Sequence, residues 1–209
     1  MEVYSEKQQI RKAIKVFKTK KLFIGLVPTM GALHQGHLAL VKRALVNNDK
    51  VVVSIFVNPT QFDNSDDLKK YPRTLEKDVA LLETLSKDRI LVYAPTVEDV
   101  YEGNTVSETF DFDGLEFEME GRFRDGHFDG VGTIVKRLFE IVKPHNAYFG
   151  EKDFQQLQII KKLDEKHYIQ FTDVGCPIHR ETTLLAISSR NTILKPEFIK
   201  AETFIYKNK

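Results

Sequence analysis

LFIGLVPTMGALHQGHLALVKRALVNNDKVVVSIFV, residues Leu22 to Val57, decides the fold. Leu22–Val27 is a short apolar run stopped by Pro28, the pattern of a buried strand. His37–Asn47 sets Leu38, Val41 and Leu45 at helical spacing, so one stripe faces inward. Val51–Val57 is rich in β-branched residues and reads as a second buried strand. Strand, helix and strand in that order argue for a parallel sheet covered by helices on both faces.

Working outward, the alternation continues. Residues 6–18 predict a helix with Ile10, Ile14 and Phe17 on one face and Ser5 as its cap. Met1 to Lys7 is charged and helix-like, without the apolar core of a signal peptide. Residues 58–73 are polar, contain Pro59 and Pro72, and predict a long loop; such loops in compact domains are usually functional or mobile. Thr74–Leu85 predicts a helix capped by Thr74, and Ile90–Ala94 a third strand. Thr105–Phe112 alternates like an exposed strand at an edge or in a side hairpin. Phe128–Val142 is a strong helical pattern, Ala147–Phe149 a strand, Phe154–Leu163 a helix and Tyr168–Val174 a strand. The expected architecture is a doubly wound parallel α/β sheet over residues 1–175. Residues 176–209 carry a further polar segment and a lone helix, Pro196–Tyr206, which must dock, pair or begin something larger.

Composition excludes several classes. The chain has 209 residues, 42% hydrophobic and 29% charged, which is neither disordered nor membranous. Lys and Arg total 31 against 30 Asp and Glu, so no basic excess asks for nucleic acid or an anionic membrane. No apolar run approaches the roughly 20 residues that span a bilayer. Cys176 is the only cysteine, so no intrachain disulfide forms and a reducing, cytoplasmic setting is expected.

In an open parallel sheet, ligands bind beyond the carboxyl ends of the strands. The segment after the first apolar strand is PTMGALHQGH, Pro28–His37. Gly31 and Gly36 allow tight turns and close ligand approach. His34 and His37 straddle a helix start, whose free N–H groups and dipole suit phosphate. Two imidazoles there can donate hydrogen bonds as a triphosphate gains charge. Zinc is a poorer reading, because no cysteine or acid stands at ligand spacing. After the second strand comes Gln61, a side chain that both donates and accepts. After Phe149 come Gly150, Glu151, Lys152 and Asp153; Lys152 can act as a point charge on phosphate, and Asp153 can cap the next helix. Ser188, Ser189 and Arg190 can clamp departing phosphates.

Together these segments are far more specific than singly. VPTMGALHQGHLAL (Val27–Leu40) closely resembles the ATP signature of the pantothenate synthetase family. SIFVNPTQF (Ser54–Phe62), YPRTLEKD (Tyr71–Asp78), DGHFDGV (Asp125–Val131), YFGEKDFQQL (Tyr148–Leu157) and ISSRN (Ile187–Asn191) resemble it in the same order. The resemblance implies a Rossmann-like fold and ATP-dependent condensation of (R)-pantoate with β-alanine, with Mg2+, through a pantoyl-adenylate. It implies that Met30, Gly31, Ala32, Leu33, His34, Gln35, Gly36 and His37 line the ATP site, with His37 as proton donor and His34 and Lys152 as its catalytic companions. Gly150, Glu151, Lys152, Asp153, Ile187, Ser188, Ser189 and Arg190 would complete the nucleotide contacts, and Gln61 and Gln156 would hold pantoate. Asp78 is a candidate near the metal, though it reads more readily as a charge on a solvated helix face. A homodimer is implied as well. Adenylate formation needs alignment and charge stabilisation rather than a protein nucleophile, and the residues found are cations and donors.

Three departures stand out. Asp125 occupies a position where the family usually has Pro. Thr183-Leu184 stands where the family usually reads Asp-Gly, which bears on the turn that presents Ser188. Family members are also expected to continue as a small C-terminal domain that covers the active site. A second reading therefore stands beside the ligase: a shortened remnant that binds nucleotide or pantoate, or only dimerises.

Overall fold

The structure, a computed structural model, describes residues 1–167, 171–189, 191, 198, 201 and 204. Among these residues six strands form one sheet: β1 (Glu2–Tyr4), β2 (Ile24–Thr29), β3 (Lys50–Ile55), β4 (Ile90–Tyr93), β5 (Asn146–Gly150) and β6 (Thr172–Cys176). Their order is β1-β4-β3-β2-β5-β6, and every pairing is parallel. Seven helices defined among the described residues accompany them: α1 (Lys7–Thr19), α2 (Gln35–Asn47), α3 (Ser65–Lys70), α4 (Leu75–Glu83), α5 (Val97–Tyr101), α6 (His127–Val142) and α7 (Phe154–His167).

Strand side chains alternate between two cores, as the period of two requires. Leu26, Val52, Leu91, Tyr93 and Phe149 face a core built with α1, α6 and α7. Val27, Val51, Val53, Val92 and Tyr148 face a smaller core built with α2 and α4. Helices therefore cover both faces, and the central strands are apolar on both sides. Each fully buried aliphatic side chain contributes about 1.5–3 kcal/mol, so these layers dominate stability.

Several sequence expectations are corrected. The N-terminus is a strand, because Glu2–Tyr4 extends the sheet beside β4. Ser5 does not cap α1; Glu6 holds the cap position without a side-chain bond. Asp99 caps it instead, accepting from the Lys7 N–H at 2.8 and 3.1 Å. Residues 58–73 are no featureless loop, since they form a 3-10 turn at Pro59–Gln61 and then α3. Thr105–Phe112 is not a strand. The Glu108 and Phe110 N–H groups donate to the side chains of Thr133 and Asp129 on α6. Phe110 and Phe112 pack over Gly132, where an added Cβ would lie 3.0 Å from both rings. The Pro196–Tyr206 helix and the start of the Tyr168–Val174 strand fall largely outside the described residues.

Chain order fixes where a ligand can sit. From β2 the sheet grows through β3 to β4 on one side, and the chain returns to place β5 on the other side of β2. The connections leaving β2 and β5 thus diverge, opening a crevice at their carboxyl ends.

Candidate active site

A cleft of about 250 Å³ occupies that crevice. One of its walls combines Met30, His34, Gly36 and His37 after β2, Gly150, Lys152 and Asp153 after β5, and Ile187, Ser188 and Ser189. Its other end holds Asn58, Gln61, Arg124, His127 and Gln156, with Val131, Ile134, Val135 and Leu138 of α6 as an apolar floor. Gly31, Ala32, Leu33, Gln35 and Glu151 are not part of the lining. Arg190 lies outside the described residues.

The two histidines are locked at the start of α2. The His34 Nδ1 accepts from the Gly36 N–H at 3.2 Å, and the His37 Nδ1 accepts from the His34 N–H at 3.3 Å. Their rings lie 4.0 Å apart. Because each Nδ1 is an acceptor, each neutral ring carries its proton on Nε2. Burial drives the His37 pKa down to about 3, with His34 and Lys152 adding to the effect. Burial and then Lys152 also lower that of His34. At neutral pH both are therefore neutral Nε2–H donors.

That state has a consequence for stability. The unfolded chain takes a proton on His37 near the ordinary histidine pKa, while the folded chain refuses it until about pH 3. Stability is then full above the unfolded pKa and falls with pH through this window, by as much as about 1.4 kcal/mol per pH unit for one histidine. Urea unfolding at pH 7 and 5 is expected to show the loss, and His37→Gln to make it shallower. An unchanged slope in His37→Gln would mean that His37 is not held neutral.

Lys152 sits in a 3-10 turn, Glu151–Asp153, where β5 passes into α7. Its Nζ is 2.6 Å from the Asp153 Oδ1, so Asp153 steers the lysine rather than capping α7. Ser188 and Ser189 follow an antiparallel bridge between Arg180 and Ala186. Leu184 closes that turn at φ 76°, donating its N–H to the Glu181 carbonyl at 2.8 Å. A branched side chain thus occupies a left-handed position, which costs roughly 1–2 kcal/mol.

Gln61 is 9% exposed, and its side-chain amide is held at both ends. Its Oε1 accepts from the Asn58 Nδ2 at 3.2 Å, and its Nε2 is 3.1 Å from the Met30 Sδ. The Tyr101 hydroxyl donates to the Asn58 Oδ1 at 2.5 Å, which turns the Asn58 amide so that it donates to Gln61. The Gln61 carbonyl accepts from the His127 Nδ1 at 2.8 Å and from the Arg124 Nη2 at 3.2 Å. The His127 Nε2 lies 3.3 Å from the Arg124 Nη1, as a neutral ring accepting from guanidinium would. Burial lowers the His127 pKa, consistent with that state. Gly130 permits this packing, because a Cβ there would stand 2.3 Å from the Thr60 carbonyl oxygen.

Sequence reasoning missed Asn58, Tyr101, Arg124 and His127. Asn58, Arg124 and His127 lay inside or beside a quoted segment and Tyr101 did not; only the fold shows that they surround Gln61. Gln155 is structural: its Nε2 donates to the Leu115 and Glu118 carbonyls at 2.8 and 2.6 Å. Asp78 is corrected on both readings. It is 1% exposed, so it is no solvated charge. Its oxygens accept from the Ala32 and Leu33 N–H groups at 3.0 and 2.8 Å and from the Thr74 hydroxyl at 3.2 Å. A carboxylate occupied by three donors is poorly fitted to ligate a metal. Among the described residues no three His, Cys, Asp or Glu side chains form a metal-binding group.

A parallel sheet with helices on both faces, and a polar cleft at its switch point, defines a Rossmann-like α/β enzyme fold. The family described as pantoate-beta-alanine ligase matches residues 2–208. A pantothenate synthetase of Flavobacterium psychrophilum is 58% identical over 206 residues, covering 99% of this chain and 73% of that protein. The crystal structure of pantothenate synthetase from Thermus thermophilus superposes with a TM-score of 0.89 at 44% identity, covering 99% of this chain and 72% of that one. A pantoate-beta-alanine ligase from Francisella tularensis, complexed with beta-gamma ATP and beta-alanine, gives 0.90 at 38% identity, covering 99% and 78%. The chain belongs to the pantoate–β-alanine ligase family.

Proposed function

We propose that this chain joins (R)-pantoate to β-alanine in two ATP-dependent half-reactions. In the first, a pantoate carboxylate oxygen attacks the α-phosphorus of ATP, the bond to the β-phosphate oxygen breaks, and pyrophosphate leaves. In the second, the β-alanine amine attacks the acyl carbon, AMP departs, and the amine loses its proton. One observation carries the reading. A single cleft joins a helix N-terminus bearing two neutral imidazole donors and Lys152 to a buried amide above an apolar floor. The first end suits a triphosphate. The second suits a small branched hydroxy acid, whose methyl groups need apolar contacts and whose polar groups need a fixed amide.

In this reading His37 and His34 donate hydrogen bonds from Nε2 to phosphate oxygens, and Lys152 supplies positive charge to the leaving pyrophosphate. Ser188, Ser189 and Arg190 assist there. Gln61 and Gln156 orient pantoate. Gly31, Ala32, Leu33, Gln35, Gly150 and Glu151 act through the backbone that shapes the ATP side. Mg2+ enters with the nucleotide as its counter-ion, which suits an ion usually held by substrate phosphates and few carboxylates.

The remaining parts of the proposal are coarser. Residues 1–175 form the ATP- and pantoate-binding domain, and residues 176–209 carry the phosphate-contacting segment. A homodimer is supported by exposed Phe117, Met119, Phe123 and Phe154 on adjoining elements, an apolar surface of the kind that marks interfaces. A lone buried cysteine accords with the cytoplasm. No helix among the described residues is long and apolar enough to cross a membrane.

The test is product analysis with all three substrates. Pantothenate, AMP and pyrophosphate are expected; all three depend on pantoate, and pantothenate depends on β-alanine as well. ATP converted to ADP and phosphate, or consumption that ignores pantoate, would contradict the proposal.

A further inference from the structure

The loop between β2 and α2 carries backbone conformations that do not hold themselves. Gly31 lies at φ 84° and Ala32 at φ 49°, both left-handed. For Ala32 this costs roughly 1–2 kcal/mol, so neighbouring structure must impose it. Within the loop, the Gly31 N–H donates to the Thr29 hydroxyl at 3.3 Å. The next two N–H groups point away from the cleft, toward α4, and meet the Asp78 carboxylate there. Ala32 donates to Oδ2 at 3.0 Å and Leu33 to Oδ1 at 2.8 Å. Thr74 sits in the N-cap position of α4, but its side chain accepts no capping bond from a backbone N–H of that helix. Its hydroxyl instead donates to the Asp78 Oδ1 at 3.2 Å. The space is closely filled, since a Cβ on Gly31 would stand 3.1 Å from the Asp78 Oδ2.

We infer that Asp78 is a positioning residue: by accepting from Ala32 and Leu33 together, it fixes how His34 and His37 enter the cleft. His34 is the residue immediately after this clamp and the N-cap of α2. Any rotation of the Ala32–Leu33 peptides turns His34, and the His34 N–H in turn holds the His37 Nδ1. One carboxylate on α4 thus sets two donors without touching substrate. The inference rests on the proposed adenylation, because that is the step the donors serve.

The experiment uses Asp78→Asn and Thr74→Val in the full chain. Amide hydrogen exchange reads the clamp directly. In the parent, Ala32 and Leu33 are expected to be protected; in Asp78→Asn both lose protection while β2 and β3 amides keep theirs. Thr74→Val keeps the carboxylate but removes the donor that aims Oδ1, so Leu33 is expected to lose more protection than Ala32. This variant still decides the question if Asp78→Asn does not fold.

Pantoate-dependent ATP–pyrophosphate exchange reads the functional effect. For Asp78→Asn, kcat is expected to fall roughly 10- to 100-fold with a raised KM for ATP, as misplacement of reacting groups by about an ångström can cost. The KM for pantoate and the Mg2+ half-saturation are expected to stay at the parent values. Intact protection of both amides in both variants overturns the inference. So does a parent-like kcat, or a loss that excess Mg2+ restores, which would make Asp78 a metal ligand. If the parent itself gives no exchange, the functional reading fails, while the amide protection still decides the clamp.

Discussion

His37→Ala is expected to slow pantoate-dependent pyrophosphate exchange by about 100-fold or more, the usual scale for losing one preorganised donor to developing charge. The argument is electrostatic. The ring is fixed through Nδ1 by the His34 N–H, and its proton sits on Nε2 at the helix start. Burial holds it neutral, so it donates without first having to lose solvent or gain a proton. Lys152→Ala is expected to fall in the same range, because the ammonium is the cation at the end of β5 and faces the same cleft. Both side chains lie at the cleft wall rather than in either core, so melting temperatures are expected to change little. Purified variants that exchange pyrophosphate at the parent rate would remove these roles.

The second large effect is on the acid substrate. Gln61→Ala is expected to weaken pantoate binding by about 1–3 kcal/mol, because a buried polar partner would be left unpaired. ATP binding is expected to change far less. Gly130→Ala is expected to act in the same direction without touching the glutamine chemically. Its Cβ would stand 2.7 Å from the Gln61 Cα and push the 3-10 turn away from α6. Calorimetry with each ligand separates the two sites. Equal losses for pantoate and ATP, or none, would mean that Gln61 does not hold the acid.

Much of the frame was legible in the sequence for a physical reason. The β2–α2–β3 unit has apolar runs long enough, and boundaries sharp enough, for periodicity to speak. Pro59 also marks the site loop after β3, whereas Pro28 does not stop β2, which stays paired with β3 through Thr29. What was not legible depended on partners distant in sequence. The three-residue β1 is a strand only because β4 offers it an edge. α1 is capped by Asp99, which is 92 residues away from Lys7. Thr105–Phe112 alternates like a strand, yet its Glu108 and Phe110 N–H groups go to Thr133 and Asp129, 25 and 19 residues further on.

The site divides in the same way. His34, His37, Lys152 and Gln61 could be singled out because each follows a strand. The groups that orient them could not, because Asn58, Tyr101 and Asp78 look like ordinary polar or aromatic residues until the fold places them. Asp78 shows the difference most clearly. In the sequence it is an acid in a helical pattern rich in charge, whereas in the fold it is buried against two backbone amides of another segment. Leu184 shows the reverse case, where the sequence flagged a replaced glycine and the structure holds that position at positive φ.

The most direct test of the central claim is isotope exchange between pyrophosphate and ATP without β-alanine. If this cleft forms an acyl-adenylate, label is expected to enter ATP only when pantoate is present, and β-alanine is not required. Exchange that proceeds without pantoate, or that appears only once β-alanine is added, would contradict the account.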